Sequence, residues 1–316
     1  MASGSTRAIL AALFANAGIA IAKFVAWVFT NSSSMLAEAI HSVADTSNQA
    51  LLLLGGRAAR KEASATHPFG YGRERYFWSF VVALVLFSIG GLFAIYEGIE
   101  KLRHPHEIEN VGWAIGVLIL GLGLEGYSMR TAIVESLPLK GESTWWQFIR
   151  HARTPELPVV LLEDLGALTG LLLALAGVSL SATTGNPDWD AYGTLSIGIL
   201  LVAIAVVLVV EMKSLLIGEG AQPGIVEGIK EALEASEGVV KVIHMRTQHI
   251  GADEILVGAK VQLDRSLGGP DVVRAINDAE RNVREATPMT VRMYVEPDIH
   301  DPTRGDGDDD RYDAAH

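Results

Sequence analysis

No cysteine occurs among the 316 residues. That absence excludes a disulfide framework, a thiolate metal site and a cysteine nucleophile, and it argues against soft, Cu(I)-type metal selection. Basic residues are few: 25 Lys and Arg face 37 Asp and Glu, a formal net charge of −12. The excess acid is concentrated in the C-terminal part, which argues against nucleic acid as a partner. Residues 218–316 also lack any apolar run long enough to cross a bilayer, whereas residues 8–217 hold several. A membrane domain followed by a soluble one is therefore expected.

Six apolar segments are expected to span: about 7–30, 35–57, 76–101, 112–135, 157–181 and 191–216. The first contains Lys23 and runs directly into further spans, so it reads as a transmembrane helix and not as a cleaved leader. The connections differ in basic content. Arg57, Arg60, Lys61, Arg73 and Arg75 follow the second segment, and Lys140, Arg150 and Arg153 follow the fourth. The connections NSSSM (31–35) and SATTGNPDWD (181–190) hold no Lys or Arg. By the positive-inside rule both termini are cytoplasmic, with Trp145 and Trp146 as an interfacial anchor. Small-residue packing predicts close helix approach at Gly55, Gly56, Gly90, Gly91, Gly121 and Gly123.

Beyond residue 218 the periodicity changes. Residues 223–236 read as an amphipathic helix, with Ile225, Ile229 and Leu233 on one face. Residues 239–250 and 254–264 read as a β-hairpin across Gly251-Ala252-Asp253. A second helix covers 270–286 and a third strand 289–297. The order α-β-β-α-β predicts a small ferredoxin-like α+β domain over 218–298. The acidic segment 299–316, with its DGDDD run, is expected to be a disordered, solvated tail because it has little to bury.

The chemistry is concentrated in two spans. His41 and Asp45 lie four residues apart in an otherwise apolar segment, which puts both on one helical face. An imidazole and a carboxylate there supply half of a tetrahedral site for a divalent metal. Ionisable groups at membrane depth are costly and mark a pathway or a buried pair. The fifth span adds Glu163 and Asp164, adjacent among apolar residues. Neighbours on a helix diverge by about 100°, so Asp164 is expected to face His41 and Asp45. Glu163 is then a fourth ligand from a neighbouring angle or a proton-carrying group beside the site. Pairing of these acids with a basic group elsewhere in the bundle is the structural alternative. Glu125 in the fourth span reads equally as a proton relay or as a packing partner of Arg130, and Glu97 and Glu100 as outer-interface acids.

With the motifs SSSMLAEAIHSVADTSNQ (32–49), HPFGYGRERY (67–76) and LLEDLGALTG (161–170), the chain resembles the cation diffusion facilitators, zinc-transporter branch. The resemblance covers most of residues 7–298. It implies a six-span transport domain over 1–217, a cytoplasmic dimerisation domain and a homodimer. It also implies proton-coupled export of a divalent cation, with zinc favoured by His41 and manganese, iron, cobalt or cadmium as alternatives. Carried over residue by residue, the metal site is His41, Asp45 and Asp164. Val160 stands where many zinc exporters have His or Asp, which leaves Glu163, Glu38, Asn48 or water as the fourth ligand. Tyr71 occupies the place of a second loop histidine beside His67, and Lys260, Tyr294 and Glu296 replace a cytoplasmic metal cluster. His67, His244 and His249 are isolated histidines. The metal is substrate, and no covalently bound cofactor is expected. The rival readings are a non-transporting, metal-responsive membrane regulator and, without any HExxH motif, an intramembrane enzyme. The Ala/Gly/Val-rich spans and the lack of cysteine suggest a bacterial inner membrane.

Overall fold

The structure is a computed structural model that describes residues 2–105, 107–108, 110–151 and 155–299. The acidic tail expected to be disordered lies outside them beyond residue 299. The chain divides into two units. One holds the residues up to Glu62 and Glu74–Ser214; the other holds Ala63–Arg73 and the residues from Leu215 onward.

The first unit is all helical. Long helices are α1 (Ala2–Thr30), α2 (Ser33–Ala58), α5 (Val111–Lys140), α7 (Glu156–Thr184) and α8 (Asp188–Ile217). Between α2 and α5, α3 (Glu74–Val85) passes through a π-helical stretch, Leu86–Leu92, into α4 (Phe93–Arg103). Among the described residues, four rods are long and apolar enough to cross a membrane: Glu74–Arg103, Val111–Pro138, Glu156–Thr184 and Asp188–Ile217. Thirty residues at about 1.5 Å each reach some 45 Å, more than a hydrocarbon core. The described side chains of α1 form the apolar stretch Asn16–Thr30. Helix α2 carries Glu38, His41 and Asp45 among its apolar residues.

Local sequence explains where these helices start and stop. Asn31 adopts φ 52° and turns the chain between α1 and α2. Ser32 then caps α2, its hydroxyl accepting from the Met35 amide at 3.3 Å. A second cap, this one a carboxylate, comes from α8. The Ser33 amide donates to Asp190 Oδ2 at 2.9 Å and the Ser32 hydroxyl to Oδ1 at 2.9 Å. Asp190 is fully buried, so it satisfies helix-end donors that no water reaches. Gly185, at φ 69°, ends α7 in the left-handed conformation that favours glycine.

The core of this unit includes Met35, Val82, Leu86, Leu118, Leu171, Ile197 and Leu208. Glycines let the α3–α4 rod press against α8. A Cβ on Gly91 would lie 2.6 Å from Val202 Cγ2, and one on Gly198 would lie 2.8 Å from the Ile95 amide nitrogen. The expected close approach holds at Gly55, Gly90, Gly91 and Gly121. It fails at Gly56 and Gly123, where nothing lies within 4 Å of the added carbon. The short helix α6 (Trp145–His151) seats Phe148 against Ala132 and Leu161, while Trp145 and Trp146 stay exposed. Lys140 stands 5.5 Å over the Trp145 ring.

The second unit is a three-stranded sheet backed by two helices, α9 (Pro223–Glu234) and α10 (Gly269–Ala286). Strands β1 (Val239–Gly251) and β2 (Glu254–Leu263) pair antiparallel as the expected hairpin. Strand β3 (Thr290–Asp298) pairs parallel with β2, the crossover being made by α10. Ile229 and Leu233 of α9 and Ala279 and Val283 of α10 bury against Ile255, Val257 and Val261. Lys260 faces Glu296 and Asp298 at 3.6 and 3.4 Å.

Candidate metal-transport site

Helix α2 carries a polar stripe made by its own periodicity. Glu38, His41, Ser42, Asp45 and Asn48 recur at spacings of three and four, so they share one face. Glu38, His41, Ser42 and Asn48 are buried. His41 Nε2 stands 3.5 Å from Asp45 Oδ2, and neither ring nitrogen of His41 makes a hydrogen bond. Asp45 Oδ1 is likewise buried without one. Two side chains of a type that can ligate metals are thus held together on one turn with unused lone pairs.

Helix α7 closes on this stripe through Glu163. Its Oε1 accepts from Asn48 Nδ2 at 2.6 Å, and its charge lies within electrostatic reach of Asp45. Asp164, expected to face His41 and Asp45, instead accepts from the Ser128 hydroxyl of α5 at 3.0 Å. The physical reason is the 100° turn per residue. With Glu163 against α2, its neighbour must point toward α5. Among the described residues no three His, Asp or Glu side chains converge closely enough to hold a metal ion together. The structure therefore joins His41 with Asp45, sets Glu163 of α7 beside Asp45, and turns Asp164 of the same helix to Ser128 of α5.

One residue here was not recognised as part of the site in the sequence. Lys23 of α1 is 1% exposed and donates to Glu38 Oε2 at 2.9 Å and to Ser42 Oγ at 2.8 Å. Glu125, weighed against Arg130, has Lys23, Glu38, Asp45 and Asp164 among its charged neighbours. The isolated histidines stand elsewhere. His67 stacks on Tyr71 with ring centroids 4.4 Å apart, His244 Nε2 meets Arg246 Nε at 3.0 Å, and His249 is buried in β1.

A helix-borne His/Asp pair with carboxylates beside it, in a unit of long apolar helices, has the chemistry that a cation path through a membrane requires. Residues 9–217 match the family model described as the cation efflux transmembrane domain. The chain belongs to the cation diffusion facilitators. It is 35% identical over 264 residues to the proton-coupled zinc antiporter SLC30A9, mitochondrial, of Xenopus laevis, covering 83% of this chain and 47% of the relative. It is 30% identical over 262 residues to the metal tolerance protein C4 of Arabidopsis thaliana, covering 82% and 57%. A probable cation efflux system protein of Mycobacterium tuberculosis is 28% identical over 294 residues, covering 90% and 82%. The chain spans about half the length of the SLC30A9 relatives it matches. Residues 9–217 are thus a cation efflux transmembrane domain, and the family to which the chain belongs is one of transporters.

Proposed function

We propose that this cation diffusion facilitator is an antiporter that exports a divalent metal cation, zinc foremost, in exchange for protons. The observation that carries the reading is the His41–Asp45 pair, whose ring nitrogens and Asp45 Oδ1 make no hydrogen bond, with the Glu163 carboxylate beside it on α7. Imidazole with carboxylate oxygens suits Zn²⁺ and accommodates Mn²⁺, Fe²⁺, Co²⁺ and Cd²⁺. His41, Asp45, Glu163 and Asp164 are the proposed ligand set. Sharing one cation requires Glu163 and Asp164 to rotate away from Asn48 and Ser128. Imidazole and carboxylate bind metal only when deprotonated, so loading releases protons and protonation ejects the metal. A proton gradient directed inward then drives metal outward.

The remaining proposals complete the picture. Six rods span, with both termini in the cytoplasm as the basic connections require. The α+β unit joins two copies into a homodimer. A bacterial inner membrane rests on composition and on the mycobacterial relative, whereas the SLC30A9 relatives are named mitochondrial. Uptake of Zn²⁺, Mn²⁺, Fe²⁺ and Cd²⁺ into proteoliposomes under an imposed pH gradient tests the function. Flux that tracks the gradient and is fastest for Zn²⁺ supports it. Absence of flux for every metal turns the reading to a metal-responsive regulator.

A further inference from the structure

Lys23 introduces a fixed positive charge where a cation is meant to travel. Its ammonium is nearly inaccessible and is bound by Glu38 and Ser42, which lie on the same α2 face as His41 and Asp45. Glu38 is one turn before His41, toward the N-terminal end of α2. Its other oxygen, Oε1, is buried with no hydrogen-bond partner among the described residues. That oxygen abuts α7, where a Cβ on Gly170 would lie 2.5 Å away. Gly170 is seven residues from Glu163 and so shares its helical face. The α2–α7 seam is therefore bounded by Asn48 and Glu163 at one end and by Glu38 and Gly170 at the other. His41 and Asp45 lie between them on α2. Lys23 is a charged neighbour of Glu38, His41, Asp45 and Glu125 alike.

A buried ion pair alone has a structural explanation, since removing either partner strands a charge. Two features go beyond it. The ammonium bonds the stripe that carries the ligands and not a remote acid. Its carboxylate partner also keeps one oxygen unused, aimed along the seam between α2 and α7. We propose that Lys23 is a resident cation of the transport path. It occupies Glu38, competes there with the transported divalent cation, and by its charge weakens the hold of the neighbouring His41–Asp45 site so that the load is released. Lys23 is in this sense a positioning residue that sets affinity, and it contacts the metal at no point. The proposal rests on the antiport reading above.

The test is concentration-dependent Zn²⁺ flux in proteoliposomes of the full chain. Four proteins are compared with wild type: Lys23→Met, Lys23→Arg, Glu38→Gln and the Lys23→Met/Glu38→Gln double variant. Lys23→Met removes a like charge beside the cation and frees Glu38, so KM falls on the order of tenfold while maximal flux also falls, because tighter holding slows release. Lys23→Arg restores the wild-type KM. The double variant removes one charge of each sign and brings KM back toward wild type, the two opposite effects offsetting one another. Glu38→Gln alone leaves the ammonium uncompensated and raises KM. A Lys23→Met protein that loses maximal flux at unchanged or raised KM overturns the proposal and leaves Lys23 a scaffold residue. So does a double variant whose KM matches that of Lys23→Met alone. Wild type without any flux instead fails the antiport reading itself.

Discussion

Removing the Asp190 carboxylate tests whether α2, and with it the ligand stripe, is anchored from α8. In Asp190→Ala the Ser33 amide and the Ser32 hydroxyl lose acceptors that now stand at 2.9 Å each, and the weaker Ser34 amide contact at 3.4 Å goes as well. Asp190, Ser32, Ser33 and Ser34 are at most 1% exposed, so water does not replace what is lost. Hydrogen bonds to a charged group contribute roughly 1.5–3 kcal/mol each, which gives about 3–6 kcal/mol for the two short ones. Relief from burying the carboxylate offsets part of this, while loss of its attraction for the buried Lys101 adds to it. Side-chain bonds measured inside membranes average only about 0.6 kcal/mol, which sets the lower end. The expected net loss is about 2–4 kcal/mol. Asp190→Asn keeps one acceptor oxygen and loses about half as much. Unfolding of the full chain in mixed micelles, followed by helicity, measures both variants. Asp190→Ala within about 0.5 kcal/mol of wild type would refute the argument, because this is the size of an ordinary surface substitution.

Other consequences follow from single contacts. Gly91→Ala puts a methyl 2.6 Å from Val202 Cγ2 and 3.1 Å from the Val202 amide nitrogen, and is expected to cost about 1–3 kcal/mol in the same unfolding assay. Gly123→Ala, with open space around it, is expected to be neutral or to gain up to about 1 kcal/mol from helix propensity. Asn48→Ala takes the amide from Glu163 and is expected to change metal affinity at least fivefold while leaving helicity intact, read by Zn²⁺ titration of the purified chain. In the α+β unit, the Ser266 amide and hydroxyl both donate to Asp264 and hold its carboxyl below the usual range. A depressed carboxyl pKa stabilises the fold above the unfolded value near 3.9 and ceases to do so as pH falls through the folded value. Asp264→Asn is therefore expected to flatten the acid limb of that unit's stability profile and to leave its neutral-pH limb unaltered in shape.

How far the sequence carried depended on whether a feature is local. The second and fifth apolar segments, read as 35–57 and 157–181, became helices Ser33–Ala58 and Glu156–Thr184. The apolar run, the serines after Asn31 and Gly185 mark those ends without help from packing. The hairpin over 239–264 and both helices of the α+β unit were legible for the same reason: their periodicity lies within a dozen residues. The direction of neighbouring side chains was not. Glu163 and Asp164 are equivalent in a one-dimensional reading, and only the rotation of α7 against α2 and α5 assigns one to Asn48 and the other to Ser128. Lys23 was visible as a cation in an apolar segment, but its partner is 15 residues away on another helix. Gly90-Gly91 hinted at close approach, yet nothing in the sequence announced the π-helical stretch Leu86–Leu92 around them. Gly56 and Gly123 show the converse, since a small residue permits a contact and does not create one.

The central claim is that a divalent cation crosses at the His41–Asp45 pair. Its most direct test is uptake of radioactive zinc into proteoliposomes under an imposed pH gradient, wild type against His41→Ala at matched protein content and matched helicity. The account predicts gradient-driven flux in wild type and a loss of at least about a hundredfold in the variant, since a site stripped of its single imidazole keeps only oxygen ligands. Wild-type flux that persists undiminished in His41→Ala would contradict the claim and move the path away from this face of α2.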